Sequence, residues 1–407
     1  ESGRVLRIRL PRTVRYLLGA LGLVAVVTSL TIGYASRRFY THQRAAYIAQ
    51  AATLHLPAFK PPTAATRLLV FAPHCDDDIL GCAGLIQQTL KAGGKVRVIT
   101  LTNGDGYRTG VQRQEHRLRL ESKDYIRFAY RRQEESVKAL TSLGVDKKEI
   151  FFLGYPDRGL LPMWNDYWKP NHPYTSTFTR VQSSPYKNAK TPNTPYCGEA
   201  VLADVRKALQ EYQPTLITVT HPEDDHPDHA ASSAFVTLAY ERSFPDHAEA
   251  HLYYYLVHRG NWPPPSNKPE GADLNPPLEM SHLGTYWQSL PLTEPQRQAK
   301  EQAIRAHATQ IALTKSFLLA FACRNELFDY IPIEVLIASA EPTILVAQNP
   351  ISDSFPRAKL GEGDIQSLRL GADRQCTTAT VVVQLREKAS GRIDYRVRLR
   401  VFGEVTR

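Results

Sequence analysis

Residues 67–84, which read RLLVFAPHCDDDILGCAG, constrain the fold of this chain more than any other stretch. Residues 68–72 form a short apolar run typical of a buried parallel strand, and residues 79–90 read as a helix. The turn between them carries the imidazole of His74 and three consecutive carboxylates at positions 76–78. Open α/β sheets bind ligands where their strands end, and adjacent carboxylates repel one another unless a cation lies between them. The sequence therefore predicts a cation site on this turn.

The N-terminal segment predicts export from the cytoplasm. Residues 1–44 hold eight arginines against Glu1 alone, so they carry +7 of the formal net charge of +10. Residues 16–35 contain no charged side chain and are long enough to cross a bilayer. The positive-inside rule then predicts a single-pass signal-anchor, with the N-terminus in the cytoplasm and the catalytic domain outside, periplasmic or extracellular. The alternatives are a signal peptide cleaved after Ala35 and a buried core helix.

Strand-like and helix-like segments alternate along the chain and predict an α/β fold, with a Rossmann-like, mostly parallel sheet and helices on both faces. The predicted strands are residues 68–72, 95–103, 150–154, 215–220 and 251–257, and the predicted helices are residues 79–90, 131–143, 198–212, 228–242 and 293–322. No GxGxxG motif follows the first strand and no GxxxxGK[ST] occurs, so nothing indicates a dinucleotide or a nucleoside triphosphate.

We divide the chain into three regions. Residues 1–44 comprise the basic N-terminus, the membrane segment and a tether, and residues 45–330 form the catalytic domain. Residues 331–407 change to short β runs and predict a small C-terminal β appendage, with a hairpin across residues 388–391. Residues 161–196 form a long connection rich in tryptophan and tyrosine. Its aromatic faces would suit sugar rings, and the alternative is that they pack within the loop.

A second polar cluster, HPEDDHPDH at residues 221–229, follows the fourth predicted strand. Because parallel strands end at the same edge of a sheet, the two clusters can converge there. His74, Asp77 and His229 would then form a set of two histidines and one carboxylate with an open position, as in a catalytic zinc site. Another divalent transition metal is the alternative, whereas calcium disfavours imidazole ligands.

The neighbours of this set predict a hydrolytic mechanism. Asp76 would act as the general base, and His226, oriented by Asp228, would stabilise a tetrahedral oxyanion. Taken alone, the first cluster could be a solvated acidic turn and the second a capped helix start. Their positions at two strand ends of one sheet favour a functional site.

These motifs resemble those of the PIG-L/LmbE-like family of zinc-dependent de-N-acetylases, over about residues 66–260. The family pattern AHPDDE and its R-x-x-E helix read here PHCDDD and RQEE. The segments LGYPDGGL and HPDDxHPDH read LGYPDRGL and HPEDDHPDH. The resemblance implies a Rossmann-like fold, the same zinc ligands, general base and oxyanion-side group as above, and removal of an acetyl group from an N-acetylglucosamine unit.

Departures from the family pattern include three positions at the expected site. Cys75 replaces the usual proline and is expected to fill space, and Asp78 replaces the usual glutamate; neither change removes a ligand. Arg158 stands where glycine is common, near the expected mouth of the site.

The leading hypothesis is a membrane-anchored zinc hydrolase that deacetylates an N-acetylglucosamine-type sugar of an envelope glycan or glycolipid. The alternatives are hydrolysis of another amide on the same scaffold and a non-catalytic glycan-binding protein with a structural metal site. No nucleic-acid partner is expected, because the arginines of the predicted C-terminal hairpin alternate with core residues as on a solvated strand face.

Overall fold

The computed structural model describes residues 55–244, 250–263, 272–277, 280 and 285–331, the backbone of three strands between residues 344 and 385, and the isolated positions 28, 31, 34 and 38. Chain contacts divide it into a unit before residue 56 and a unit from residue 56 onward. The predicted membrane segment and the predicted hairpin across residues 388–391 lie outside the described residues, apart from helical positions 28, 31 and 34. No helix in the described part of the chain is long and apolar enough to span a bilayer.

Seven strands form one mixed sheet. They are β1 (Arg67–Ala72), β2 (Lys95–Thr102), β3 (Ile150–Tyr155), β4 (Leu216–Thr220), β5 (His251–Tyr255), β6 (Trp287–Pro291) and β7 (Asn325–Asp329). Their order is β3-β2-β1-β4-β5-β7-β6, and β1 to β5 pair in parallel, whereas β7 runs antiparallel to β5 and β6. The predicted α/β fold is confirmed, and the antiparallel edge is an addition that the sequence pattern did not predict.

Eight α-helices accompany this sheet in the described chain. They are α1 (Asp77–Lys91), α2 (Arg108–Glu115), α3 (Ser122–Ser142), α4 (Leu160–Asn165), α5 (Gly198–Tyr212), α6 (Pro227–Ser243), α7 (Glu294–Ala306) and α8 (Ala308–Leu319). Leu69 and Phe71 of β1 share a core with α5 and α6, while Thr218 of β4 meets Cys82 of α1 at 3.5 Å. Because side chains alternate along a strand, these contacts place helices on both faces.

The expectation of one helix over residues 293–322 is wrong. Two helices replace it, because His307 adopts non-helical dihedrals (φ −79°, ψ 64°) between α7 and α8. The carboxylate of Glu135 then accepts hydrogen bonds from the backbone N–H and the hydroxyl of Thr309, at 3.0 and 2.6 Å, and so caps the start of α8. Helix α8 bends again at Thr314 (φ −127°, ψ 30°).

A separate three-stranded antiparallel sheet lies in the C-terminal part. It contains β8 (Ile344–Gln348), β9 (Ile365–Ala372) and β10 (Ala379–Leu385), in the order β10-β9-β8. The backbone thus agrees with the β character expected after residue 331.

A buried ion pair ties α1 to the antiparallel edge. Lys300 of α7 and Glu326 of β7 lie 2.7 Å apart and are essentially inaccessible to solvent. Lys300 Nζ donates to the carbonyl of Leu80 at 2.8 Å, and the Glu326 carboxylate accepts from the N–H groups of Gly84 and Leu85 at 2.7 and 3.0 Å. Helix α1 therefore depends on side chains that lie more than 200 positions away in the chain.

Candidate metal centre and active site

The two polar clusters of the sequence meet at one edge of the sheet. β1 lies between β2 and β4, so the strand order reverses at β1, and ligands of open α/β sheets bind outside such a reversal. The turn after β1 is fixed because the Pro73 carbonyl accepts from both the N–H and the hydroxyl of Thr102, each at 2.9 Å. The second cluster follows β4 and leads into α6.

His74, Asp77 and His229 converge as the sequence predicts. His74 Nδ1, Asp77 Oδ2 and His229 Nε2 form a triangle with sides of 3.1 Å. All three residues are buried, and Asp77 Oδ2 also accepts the backbone N–H of His74 at 2.9 Å. The triangle joins the turn after β1, the first turn of α1 and the first turn of α6.

The donor set of this triangle fits a small divalent cation. A tetrahedral zinc ion with bonds of about 2.0–2.1 Å holds its ligand atoms about 3.4 Å apart, which is close to the observed spacing. His226 and His258 offer further nitrogens, since the groups His74–His226–His229 and Asp77–His229–His258 each have donor atoms within 4.8 Å of one another. The described residues thus contain a His/Asp cluster that could hold a metal ion.

Carboxylates orient both imidazoles from behind. His229 Nδ1 lies 3.1 Å from Asp224 Oδ2, and His74 Nε2 lies 3.5 Å from both Asp157 Oδ1 and Asp228 Oδ2. Metal-binding histidines commonly direct their second nitrogen at a carboxylate, which fixes the ring and raises its basicity. Asp224 is itself held by the N–H groups after β5, at residues 257 and 258.

The electrostatics of the cluster match a cation site. Burial lowers the pKa of His229, but Asp224 and Asp77 outweigh burial and raise that pKa to about 9. Burial also lowers the pKa of His74, and its contacts with Asp157, Asp228 and Asp77 raise that pKa well above the usual value. Burial raises the pKa of Asp77, and the charge of His229 then brings it well below the usual range. Protons on two imidazoles therefore compensate carboxylates at a place where a cation would do the same.

Asp76 lies beside the triangle in an ion pair with Arg132. Arg132 Nη2 donates to Asp76 Oδ1 at 2.8 Å, and Arg132 Nη1 donates to the Gly104 carbonyl at 3.1 Å. Both side chains are buried and line the same pocket as His74 and Asp77. Gly104 has φ +60°, and a Cβ there would lie 1.6 Å from Arg132 Nη1, so the guanidinium can take this position only beside glycine.

His226 also lines the pocket, at the N-cap of α6. Its Nδ1 accepts the backbone N–H of Asp228 at 3.3 Å. Burial, followed by the charges of His74 and His229, lowers the pKa of His226 to about 2, so the ring is neutral at physiological pH. A neutral imidazole that accepts at Nδ1 carries its hydrogen on Nε2, which leaves a donor for an oxyanion.

Asp228 contacts His226, as the sequence predicts, through its backbone N–H and not through its carboxylate. The Asp228 carboxylate accepts the N–H groups of Arg158 and Leu160, at 2.5 and 3.1 Å, and faces His74. The link to His226 runs through the Asp228 backbone instead, because the N-cap position of His226 turns its ring back onto that N–H. Asp228 therefore joins the β3–α4 turn to the imidazole of His74.

A pocket of about 240 Å³ opens onto this cluster. One wall comes from α8, through Gln310, Thr314, Phe317 and Leu318. Tyr107 and Arg158 also line it, whereas no tryptophan or tyrosine of the connection at residues 161–196 does. Those aromatic rings pack on the core, and Trp168, for example, stacks on Phe235 of α6 with centroids 6.1 Å apart. Other rings pack within the connection, as Tyr167 does on Tyr174 with centroids 5.4 Å apart, in line with the second alternative of the sequence analysis.

Two departures from the family pattern lie beside the site without offering donors to it. Cys75 is buried and its Sγ donates to the Asn103 carbonyl at 3.7 Å. Asp78 Oδ1 accepts the Ile79 N–H at 2.8 Å, and burial raises the pKa of Asp78. Neither belongs to a metal-competent group among the described residues.

Sequence reasoning did not assign roles to Asp157, Asp224, His258 and the α8 wall. Asp157 and His258 follow β3 and β5 at the same sheet edge as the two predicted clusters, so the strand-end rule could have found them. Asp224 lies inside the second cluster, where the sequence pattern assigns it no role. No signal in the sequence links α8 to the site, because its placement depends on packing against α2 and on its cap at Glu135.

The fold and the site together define a class: an α/β domain with a His/Asp metal-competent cluster at its strand-order reversal, next to a buried carboxylate–arginine pair. Residues 69–240 match the family model described as PIG-L: GlcNAc-PI de-N-acetylase. The chain therefore contains a PIG-L family domain, and the resemblance found in its motifs is confirmed.

Solved structures that match this chain include three enzymes. The N,N'-diacetylchitobiose deacetylase from Pyrococcus horikoshii is 18% identical with a TM-score of 0.39, over 65% of this chain and 83% of that one. The A40926 pseudoaglycone deacetylase Dbv21 is 20% identical with a TM-score of 0.41, over 65% and 96%. The 4-carboxy-2-hydroxymuconate hydratase GalB from Pseudomonas putida is 13% identical with a TM-score of 0.39, over 68% and 100%. Similarity at this level carries no conclusion about activity.

Proposed function

We propose that this protein is a zinc-dependent hydrolase that removes the N-acetyl group from an N-acetylglucosamine-type sugar of an envelope glycan or glycolipid. The observation that carries the proposal is the triangle of His74, Asp77 and His229 next to the Asp76–Arg132 pair, inside a PIG-L domain. Anchoring by residues 16–35, with the domain outside the cytoplasm, is part of the proposal and rests on the sequence alone.

The triangle would hold the metal ion through two nitrogens and one oxygen. When bound, such a cation supplies Lewis-acid chemistry, which polarises a carbonyl and makes water more acidic. The protein contributes the orientation of the ligands, since Asp224 fixes His229 and the pair Asp157 and Asp228 fixes His74.

Asp76 would move the proton. Water adds to the amide carbonyl carbon, Asp76 accepts the proton that the water loses, and the same carboxyl returns it to the amine as the C–N bond breaks. The products are acetate and a free amino sugar. Arg132 holds Oδ1 of Asp76, so Oδ2 stays available as the base and the carboxylate cannot rotate away.

His226 would stabilise the charge that develops on the carbonyl oxygen. Its backbone bond at Nδ1 fixes the tautomer, so the neutral ring can donate a hydrogen bond from its Nε2–H to that oxygen. A positioned neutral donor in a buried site stabilises the oxyanion more than the ground-state carbonyl.

The test measures metal content and acetate release on the full chain, purified without chelator. We expect about one zinc per chain and zinc-dependent acetate release from N-acetylglucosamine oligomers. Asp76→Asn should keep the metal and lose activity by roughly 10²–10⁴-fold, whereas His229→Ala should lose both. Asp166→Asn, an exposed carboxylate outside the pocket, serves as the control and should change neither.

Three outcomes would contradict parts of the proposal. A chain that binds no metal contradicts the whole reading of the site. One zinc without acetate release points to another amide or to a binding role. Full activity in Asp76→Asn removes Asp76 as the base.

A further inference from the structure

Arg158 occupies an unusual place in the pocket wall. It follows Asp157 in the turn between β3 and α4, and its side chain is exposed at the pocket. Its backbone is left-handed (φ +60°), a conformation that glycine adopts freely and that a side chain disfavours. The N–H groups of Arg158 and Leu160 donate hydrogen bonds to the Asp228 carboxylate, and these bonds hold the turn in this shape.

The guanidinium of Arg158 is not engaged by any residue that the structure describes. Of the two arginines that line the pocket, Arg132 is bonded to Asp76 and Gly104. Arg158, in contrast, has no acidic group within ion-pair distance among the described residues, and its side chain donates no hydrogen bond there. A charged fork of donors therefore faces the pocket mouth.

The size of the pocket implies that part of a substrate lies at this mouth. Its volume of about 240 Å³ is below the range of roughly 300–1,000 Å³ that encloses a drug-sized ligand. An acylamino sugar unit would fill most of this volume, so a substituent on it would reach beyond the pocket, where the exposed Arg158 is available to contact it.

The local charges allow an anion at Arg158. The carboxylates that line the pocket have other partners than Arg158: Asp76 contacts Arg132, Asp77 contacts the imidazoles of His74 and His229, and Asp157 contacts His74 and accepts the Gly106 N–H at 3.0 Å. Guanidinium groups bind phosphate and carboxylate through paired hydrogen bonds.

We propose that Arg158 binds an anionic group on the substrate, a phosphate or a carboxylate, and so selects an anionic acylamino sugar over a neutral one. This inference rests on the proposed deacetylation and adds a substrate class to it. Arg158 is then a specificity residue that contacts the substrate away from the reacting amide, and its loss should raise KM more than it lowers kcat.

The experiment compares deacetylation of one neutral and three anionic sugars by the full chain. The neutral probe is methyl N-acetylglucosaminide, and the anionic probes are N-acetylglucosamine 1-phosphate, N-acetylglucosamine 6-phosphate and N-acetylmuramic acid. We expect kcat/KM for at least one anionic probe to exceed that for the neutral probe by roughly tenfold or more. The phosphate and carboxylate arms distinguish the two sources of charge.

Variants at Arg158 assign the preference to its charge. Arg158→Gln and Arg158→Gly should both abolish the preference for anionic probes, although glycine also removes the strain of the left-handed backbone. Arg158→Lys should retain most of that preference. Arg180→Gln is the matched control, because Arg180 is also an exposed arginine with a left-handed backbone (φ +59°) but does not line the pocket.

A preference that survives Arg158→Gln, or no preference for any anionic probe, overturns the inference while deacetylation stands. If no probe is deacetylated, the proposed function fails, and calorimetry still decides the inference. The parent protein should bind at least one of the anionic probes more tightly than the Arg158→Gln variant does. If the parent and the variant bind every anionic probe with equal affinity, the inference is overturned.

Discussion

Replacing Lys300 by methionine should destabilise the domain strongly, because it leaves a buried charge without its partner. Methionine keeps most of the side-chain volume of Lys300 and removes its charge. Glu326, 1% exposed, would keep only two backbone N–H donors, and the Leu80 carbonyl would lose the Nζ donor at 2.8 Å.

The magnitude follows from the geometry of the pair. Breaking a buried ion pair by removing one partner costs about 3–5 kcal/mol. For the unit of about 350 residues that holds the site, this corresponds to a fall in Tm of about 4–7 °C. The double variant Lys300→Met/Glu326→Gln should cost less than Lys300→Met alone, because no uncompensated charge stays buried.

The assay is urea unfolding followed by circular dichroism, with both single variants and the double variant. Lys138→Met is the matched control, since Lys138 is exposed on α3 and its loss should stay within about 0.5 kcal/mol. A Lys300→Met variant as stable as Lys138→Met, or a double variant less stable than Lys300→Met, would refute the reasoning.

Three further changes have defined outcomes. Gly104→Ala should displace Arg132 from Asp76, because its Cβ would meet Nη1 at 1.6 Å, and acetate release should fall while bound zinc, measured by elemental analysis, stays. Burial lowers the pKa of His307 to about 4, so its contribution to stability is complete above about pH 6.5 and is lost as the pH falls through 4. Urea unfolding of metal-free protein measures this. Between pH 7 and pH 4 the free energy of unfolding of His307→Leu should fall by about 3 kcal/mol less than that of the parent, and equal decreases would contradict the prediction. Trp168→Leu should lower the unfolding free energy by about 2–4 kcal/mol and leave KM for acetylated sugars unchanged, whereas a raised KM would place that loop at the substrate.

The sequence alone determined the parallel part of the sheet and the convergence of His74, Asp77 and His229. Both follow from local information. Strand and helix periodicity is set by neighbouring residues, and parallel strands end at one edge whatever the details of packing. The same rule explains why Asp76 lies beside the triangle.

Only the tertiary structure decided which groups surround that triangle. The pairing of Arg132 with Asp76 joins residues 56 positions apart, and the cap of α8 by Glu135 spans 174 positions. The division of residues 293–322 into two helices coincides with that cap, and no glycine or proline within residues 296–322 marks the break in the sequence.

The aromatic connection at residues 161–196 is a second example in which composition alone does not predict the contacts of the side chains. Its composition fits sugar binding and packing within the loop equally well, and only the structure shows that Trp168 stacks on Phe235 of the core. Side chains of one type serve both purposes, and which one they serve depends on where the chain carries them. Local pattern therefore determined the elements and the ends of the strands, while packing between distant segments determined the pocket, because the free energy of those contacts depends on shapes that no short stretch of sequence contains.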